Sequence, residues 1–576
     1  MSAAEKEATA VVGIACRLPG APDPDAFWRL LDDGVSAIGN PPAGRFRESV
    51  DTADVRPGAF LENVDLFDPE FFGISPAEAA AADPQQRLVL ELAWEALEDA
   101  GILPGTLAAS RTGVFVGSIA ADYAGLVHRH GSDAITRHTL TGLNRGVIAN
   151  RVSYALDLRG PSLSVDSAQS SSLVAVHLAL ESLRTGESDV ALAAGVNLNL
   201  APDSTLVVDR FGALSPDNTC FTFDARANGY ARGEGAVLLV LKPLARALAD
   251  GDPVHAVLLG SAVGSDGATP GLTVPGAATQ AEVIRAALNR AGVGRADVQY
   301  VELHGTGTRV GDPIEAAALS EVFAAGRTPD TPLLVGSAKT NVGHLEGASG
   351  IVGLLKTVLS VRHGRLPASL NFATPNPDIP FEALRLRVRT ESGPWPHPDR
   401  PPVAGVSSFG VGGTNAHVVV GPAPVRDDTA ARHEGPWLWP LSAHTPQALR
   451  AQAARLRAHV ARQPDLAPHD IGHTLATTRT AFPHRAVVTG ADRGELLAGL
   501  AALEAGEQTA GLVAGRAGEQ GGTVFVFPGQ GSQWPAMARE LLATEADFAA
   551  SRCPRASRRS PFPHALVPAP IRGAGA

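Results

Sequence analysis

The sequence is poor in cysteine. Its 576 residues contain only Cys16, Cys220 and Cys553, which lie far apart along the chain. An odd number of widely separated cysteines excludes a disulfide framework, and their spacing fits no cysteine-based zinc site. We therefore expect a reducing compartment, the cytoplasm, and no bound metal.

The sequence also lacks an excess of basic residues. Lysine and arginine together number 48 against 59 aspartates and glutamates, which gives a formal net charge of -11. Proteins that bind nucleic acid need a basic surface to neutralise phosphates, so this balance argues against a nucleic-acid partner.

Long apolar runs are missing as well. No stretch approaches the ~20 consecutive apolar residues that a membrane-spanning helix requires. The amino terminus, MSAAEKEATAVVGIACRLPG, carries acidic residues where a signal peptide would be basic, and Arg17 and Pro19 interrupt its apolar run. We expect neither a membrane partner nor a secretory leader.

What the sequence does contain is a long α/β pattern, from residue 10 to about residue 420. Short β-branched runs alternate with helical stretches that are rich in alanine and leucine, such as PQQRLVLELAWEALEDA. The clearest strands are GVFVGS, VALAAGV, AVLLVL and VQYVEL. Alternation of this kind predicts strands that are buried between layers of helices.

A passage rich in proline and charge, GPAPVRDDTAARHEGPW, ends this pattern and predicts a domain boundary. Beyond it, helices at 447–463 and 493–506 and a strand at 484–490 predict a small α/β linker domain. At Thr523 a strand, a glycine-rich turn and a helix follow, and after Ala550 the sequence becomes aperiodic and rich in Arg, Pro and Ser. We therefore divide the chain into residues 1–9 (tail), 10–422 (main domain), 423–521 (linker domain), 522–550 (a truncated third domain) and 551–576 (an irregular or disordered tail).

Five long motifs carry a family resemblance. They are VVGIACRLPG at 11–20, ADPQQRLVLELAWEALEDAG at 82–101, VELHGTGTRVGDPIEA at 301–316, GSAKTNVGHLEGASGIVGLLK at 336–356 and AGVSSFGVGGTNAHVVV at 404–420. Together they resemble the ketosynthase domain of modular polyketide synthases. This resemblance implies a thiolase-like fold, a duplicated five-layer αβαβα arrangement. It also implies a homodimer that works with an acyl carrier protein and with further polyketide synthase domains.

The segment SLSVDSAQSSSLVAVH at 162–177 resembles the active-site segment of that family, with one change. Gln169 stands where the family has its nucleophilic cysteine, so the Cys-His-His triad becomes Gln169, His304 and His344. The lone pair of an amide nitrogen is delocalised into the carbonyl, and no neighbouring base can activate it as a thiolate is activated. The form VDSAQSSSL resembles a loading-module variant called KSQ, whose members resemble decarboxylases.

The resemblance therefore implies decarboxylation of malonyl or methylmalonyl groups on the phosphopantetheine of an acyl carrier protein. The products would be carbon dioxide and an acetyl or propionyl starter unit, with no cofactor bound by this chain itself. His304 and His344 would donate to the oxygen on which negative charge develops. The Gln169 amide could donate to the same oxygen or orient the carboxylate. By resemblance, Phe409 and Gly410 shape the oxyanion site.

One basic and one acidic neighbour are expected to support His344. Lys339 and Glu346 flank this histidine in the sequence and predict a charge pair, although a solvated pair at the surface fits the same spacing. The two histidines are far apart in the sequence and lack the companions of a metal motif, which disfavours zinc.

Other functions are open on the sequence alone. Gln169 could merely fill the space of the cysteine in an inactive site, which would make the chain a docking scaffold for the loading module. A condensing ketosynthase is all but excluded by Gln169. Ser170, Ser171 and Ser172 lack the GxSxG elbow of a serine hydrolase, which favours a role in the start of the following helix.

The third domain resembles the beginning of an acyltransferase, yet no GxSxG occurs in the chain, so this segment cannot load substrate. Either a longer native chain continues it, or the reading frame is cut or shifted near Ala550. Because the main domain begins within the first ten residues, we expect a module at the start of an assembly line.

Overall fold

Aliphatic and β-branched runs form strands that are buried on both faces because helices cover the sheet on each side. The computed structural model describes residues 8–46, 56–425 and 436–518, and then 526, 531, 534–544 and 546–551. The chain divides into two units, Met1–Ala517 and Gly518–Ala576.

The first half of the large body runs from residue 8 to residue 250. Its strands are β1 Thr9–Arg17, β2 Thr112–Gly117, β3 Ser162–Val165, β4 Val190–Asn197 and β5 Gly235–Pro243. Its helices are α1 Pro24–Asp32, α2 Pro76–Ala81, α3 Pro84–Asp99, α4 Asp122–Arg129, α5 Thr139–Leu143, α6 Gly146–Ala155, α7 Ser171–Thr185, α8 Pro202–Arg210 and α9 Leu244–Asp250, with 3-10 turns at Pro104–Leu107 and Ser132–Ala134.

The second half runs from residue 256 to residue 421. Its strands are β6 Ala256–Ser265, β7 Val298–Glu302, β8 Leu333–Gly336, β9 Arg365–Leu366, β10 Leu386–Val388, β11 Gly393–Pro394, β12 Val403–Phe409 and β13 Thr414–Gly421. Its helices are α10 Ala277–Ala291, α11 Gly311–Phe323, α12 Lys339–Val342, α13 Ser349–His363 and α14 Phe381–Leu384, with a 3-10 turn at Glu346–Ala348.

Strand order shows that the two halves repeat one topology. Among the described residues, an 11-stranded sheet has the order β10-β8-β7-β12-β13-β6-β1-β5-β4-β2-β3. In each half, two parallel pairings are followed by two antiparallel ones, β3-β2-β4-β5-β1 and β8-β7-β12-β13-β6. The halves join where Thr9, Ala10 and Val11 pair antiparallel with Leu258, Val257 and Ala256.

The helices complete a five-layer structure. Helices α7 and α13 lie between the two halves of the sheet, and Leu173, Val176, Ile351 and Leu355 pack there in a common core. Helices α3 and α6 cover the outer face of the first half, and α10 and α11 cover that of the second. The order is helix, sheet, helix, sheet, helix, which confirms the predicted duplicated αβαβα arrangement.

A smaller sheet follows the large body within the same unit. Strands β14 Trp437–Ala443, β15 His484–Gly490 and β16 Leu512–Arg516 pair antiparallel, and helices α15 Pro446–Arg462, α16 Pro468–Thr477 and α17 Arg493–Ala505 accompany them. Trp439, fully buried, is the largest side chain of its core. The strand and the two helices that the sequence places in this region are confirmed.

The small sheet contacts the large body through aromatic rings. Phe71 and Trp94 of the body meet Phe482 at 5.6 and 6.1 Å between ring centroids. Arg479 also donates from Nη1 to the carbonyl oxygen of Glu98 at 2.9 Å. The predicted boundary at residue 422 therefore separates two structures that pack together, and it stays a prediction.

In the second unit, the described residues form two short helices, α18 Arg539–Thr544 and α19 Ala546–Ser551. The strand predicted from Thr523, the boundary passage around residue 430 and the tail after residue 551 lie outside the described residues. Within the part of the chain that is described, no helix combines the length and the apolarity needed to cross a membrane.

Candidate active site

Gln169 lies in a tight turn between β3 and α7. Ala168, just before it, has a φ of 57°, a left-handed conformation that is uncommon for a residue with a Cβ atom. Serine hydroxyls hold this turn: Ser171 Oγ accepts from Ser167 N at 2.9 Å, and Ser170 Oγ donates to Ser167 O at 2.8 Å. The serines thus serve the start of the helix, as the missing GxSxG elbow indicates.

The side chain of Gln169 is held by the glycine loop of residues 410–413. Its Oε1 atom accepts a hydrogen bond from the backbone N–H of Val411 at 2.8 Å, and its own carbonyl oxygen accepts from Ser408 Oγ at 2.9 Å. Because the N–H of Val411 fixes which end of the amide is the oxygen, the Nε2 amino group is presented as a donor.

The glycine loop lies directly against the turn of Gln169. A Cβ atom at Gly410 would stand 2.3 Å from the carbonyl oxygen of Ser167, so only glycine allows this approach. Asp266 holds the other end of the loop, since its N–H donates to Gly413 O at 2.8 Å and its Oδ1 accepts from Asn415 Nδ2 at 2.7 Å.

The two histidines of the sequence motifs come together beside this loop. His304 follows β7 and His344 follows α12, and their ring centroids are 5.4 Å apart at an interplanar angle of 83°. The ring of Phe409, at the end of β12, lies 5.5 Å from that of His304. Phe409 and Val411, two residues apart, therefore connect His304 to Gln169.

Both imidazole rings are uncharged at neutral pH. Burial lowers the pKa of His304 and of His344 well below the ordinary value, and the positive charge of Lys339 lowers it further in each case. Nδ1 of His344 accepts from the backbone N–H of Glu346 at 2.9 Å, so a neutral ring carries its proton on Nε2. Among the described residues, Nδ1 of His304 is buried without a hydrogen-bond partner.

Carboxylates that the sequence analysis missed hold the loop of His304. Glu315 accepts from the N–H groups of His304 and Gly305, both at 2.8 Å. Asp312 accepts from Phe223 N at 2.7 Å and from Gly307 N at 3.0 Å. Burial raises the pKa of each carboxyl to about 7. Asp312 and Glu315 lie in the same motif as His304, HGTGTRVGDPIEA, and this position was the sequence signal that could have identified them.

The predicted charge pair between Lys339 and Glu346 is wrong. Glu346 instead forms an ion pair with Arg232, at 2.8 Å between Nη2 and Oε2. The reason is local: the backbone of residues 231 and 233 pairs with that of His344, which brings Arg232 next to Glu346. Lys339 is buried, and burial lowers its pKa, while Glu302 and Glu315 oppose this decrease. It acts on the site through its charge near both histidines.

Family models match most of the chain. Residues 6–247 match the N-terminal domain of β-ketoacyl synthases, residues 255–373 the C-terminal domain, and residues 375–489 the ketoacyl-synthetase C-terminal extension. The chain belongs to the β-ketoacyl synthase family. This ketosynthase shares its fold with solved relatives, such as the ketosynthase from module 6 of the bacillaene synthase of Bacillus subtilis 168. That structure is 34% identical with a TM-score of 0.81, over 94% of this chain and 90% of the other.

Curated relatives are polyketide synthases. The chain is 56% identical over 570 residues to polyketide synthase GfsA of Streptomyces halstedii, and 47% identical over 548 residues to erythronolide synthase EryA3 of Saccharopolyspora erythraea. These matches span 95% of this ketosynthase in both cases but only 8% and 17% of the relatives. The chain therefore corresponds to the ketosynthase and linker region of a modular polyketide synthase.

Proposed function

We propose that this ketosynthase is the decarboxylase of a polyketide loading module. It would act on malonyl or methylmalonyl groups carried by the phosphopantetheine of an acyl carrier protein, and leave the acetyl or propionyl starter. The observation that carries the proposal is Gln169, an amide that cannot be acylated and whose side chain is held by Val411. Two residues before Val411, the ring of Phe409 contacts the neutral ring of His304.

Decarboxylation requires donors where charge develops. The electron pair of the breaking carbon–carbon bond moves toward the thioester, carbon dioxide leaves, and the resulting enolate takes one proton to become the acyl product. Nε2–H of His344 is fixed as a donor by the hydrogen bond at Nδ1. A preorganised donor of this kind contributes on the order of 2.7 to 4 kcal/mol to the transition state.

Gln169 supplies a second kind of contact. Its Oε1 atom is taken by Val411, so its amino group is free to donate to the thioester oxygen or to the departing carboxylate. A cysteine at this position would instead be acylated, which is the first step of condensation in the family.

The family and the edge of the sheet support the proposed partners. The relatives are polyketide synthases, which supports an acyl carrier protein and further synthase domains as partners. Among the described residues, β3 is the last strand of the sheet. Leu163 in this strand is 48% exposed, and Tyr154 in α6 is 88% exposed. An unpaired edge with exposed apolar side chains supports a homodimer.

The first experiment incubates the protein with malonyl- and methylmalonyl-carrier protein and follows the carrier by intact mass spectrometry. We expect the acyl group to lose the mass of carbon dioxide while the enzyme acquires no acyl adduct. An unchanged carrier with a folded enzyme would favour the docking scaffold, and an acyl-enzyme would favour a condensing ketosynthase.

Two substitutions of Gln169 test its role. Gln169→Glu keeps an oxygen for the N–H of Val411 but lacks the amino donor, whereas Gln169→Ala lacks both. We expect each to slow decarboxylation by ~10²-fold or more. Parent rates in both folded variants would reduce Gln169 to a space-filling role. Gln169→Cys is the matched control for reactivity, because its thiol lies at the start of α7 and should take up an acyl group.

A further inference from the structure

The backbone around His344 is paired with a distant segment of the chain. His344 N–H donates to Ala231 O at 2.7 Å, and Gly233 N–H donates to His344 O at 2.9 Å. The approach is close, since a Cβ atom at Gly233 would lie 2.3 Å from Val342 O. Residues 231–233 therefore hold the main chain of His344 from both sides.

The side chain of Arg232, which lies between Ala231 and Gly233, also acts on His344, through Glu346. Arg232 donates from Nε to Oε1 of Glu346 at 2.9 Å and from Nη2 to Oε2 at 2.8 Å, a two-pronged pair. The two side chains are only 6% and 7% exposed, so water does not compete for these bonds.

Glu346 links this ion pair to the imidazole ring. Its N–H is the group that donates to Nδ1 of His344, and its φ of 47° is unfavourable for a residue with a Cβ atom. Such a conformation persists where surrounding contacts impose it. The pair with Arg232 is the contact that holds the side chain of Glu346.

The remaining nitrogen of the guanidinium is also anchored. Nη1 of Arg232 donates to Ser204 Oγ at 3.0 Å and to Thr205 Oγ1 at 2.7 Å, both on α8. Arg232 is thus fixed at one end by α8 and at the other by Glu346, and it cannot follow Glu346 into another conformation without breaking several bonds.

We propose that Arg232 is a positioning residue for His344. Through Glu346 it holds the N–H that occupies Nδ1, and it thereby keeps the Nε2 proton directed into the site. The consequence for turnover rests on the proposed function, in which Nε2–H of His344 donates to the thioester oxygen. The position of the ring does not depend on that function.

The test uses Arg232→Ala, Arg232→Lys and Glu346→Gln in the full chain. Crystal structures should show the His344 ring displaced or rotated in Arg232→Ala, with the Glu346 N–H no longer at Nδ1. Arg232→Lys keeps the positive charge but cannot form the two-pronged pair, and Glu346→Gln keeps a hydrogen bond but loses the negative charge. If Arg232→Ala does not fold, the position of the His344 ring is measured in these two variants instead. An unmoved ring and an intact Nδ1 bond in the folded variants would overturn the proposal.

Kinetics with malonyl-carrier protein supply the second measurement. We expect kcat of Arg232→Ala to fall ~10²-fold, as a misplaced catalytic group does, with KM for the carrier unchanged and partial recovery on addition of guanidinium. Arg226→Lys is the control, because it alters another arginine ion pair, with Asp224, outside the site. A displaced ring with parent kcat would leave the positioning intact and would contradict the donor role of His344 instead.

Discussion

At the scale of single residues, the site depends on two imidazole rings that stay neutral. Burial lowers the pKa of His304 and His344 well below 6.5, and Lys339 adds to the effect. The lowered pKa keeps each ring neutral until the pH is far below 6.5. We therefore expect kcat for decarboxylation to stay constant as the pH passes through 6.5, the ordinary pKa of histidine. Rates measured between about pH 5.5 and 8 check this.

A control is needed for the nearby carboxyl of Glu315, whose pKa is about 7. Glu315→Gln does not titrate and retains an oxygen for one of the two N–H groups, those of His304 and Gly305, that the carboxylate accepts. The same flat profile is expected in this variant. A fall in kcat with an apparent pKa near 6.5 in both proteins would leave the two histidines and Asp312, whose pKa is also about 7, as the groups that titrate, and it would contradict the expected flat profile.

The sequence predicted the candidate site residues because each lies in a long motif. It did not predict the contacts that these residues make. The acceptor role of Gln169 Oε1 depends on a backbone N–H of Val411, which no side-chain pattern records. The pairing of Glu346 with Arg232 likewise joins residues that are 114 positions apart. Proximity in sequence favoured Lys339, but the backbone pairing of residues 231 and 233 with His344 brings Arg232 to the carboxylate of Glu346.

At the scale of elements, the glycine loop and the turn of Gln169 fit each other at backbone distance. Gly410→Ala places a Cβ atom 2.3 Å from Ser167 O, so the loop must move. We expect a destabilisation of about 1–3 kcal/mol in urea unfolding, together with a loss of decarboxylation.

Gly412→Ala is a matched control in the same loop, since its Cβ would meet no atom within 4 Å. Its unfolding free energy should change by less than ~0.5 kcal/mol, with kcat near that of the parent. Equal effects of the two substitutions would mean that the loop does not depend on the close contact at Gly410.

Elements with strong local patterns were predicted well. Asp83 and Pro84 mark the start of α3, where Asp83 Oδ1 accepts from Gln85 N at 2.8 Å. Boundaries were less accurate: the helix expected at 493–506 is α17, which ends at Ala505, where Gly506 follows with a φ of 76°. The short strands β8 and β10 have weak patterns of their own, and their neighbours in the sheet stabilise them.

At the scale of the whole molecule, the site lies where the two repeated halves meet. Gln169 belongs to the first half and both histidines to the second. Ser172 of α7 accepts from Ile351 N of α13 at 3.1 Å, and this bond ties the two central helices together beside the site. Because the candidate catalytic groups come from both halves, packing of the central layer fixes their mutual positions. Strand order and this packing followed from the family resemblance rather than from local patterns.

The sheet edge at β3 leads to a prediction for the assembly. We expect light scattering after size-exclusion chromatography to give twice the mass of one chain. Leu163→Lys combined with Tyr154→Lys should give a monomer, because charge at an unpaired edge opposes association of a second copy. Val513→Lys, at a residue 72% exposed on the small sheet, is the control and should leave the mass unchanged. A parent protein with the mass of one chain would show that there is no such dimer. A double variant that stays dimeric would place the interface elsewhere. In either case Leu163 and Tyr154 would be ordinary surface residues.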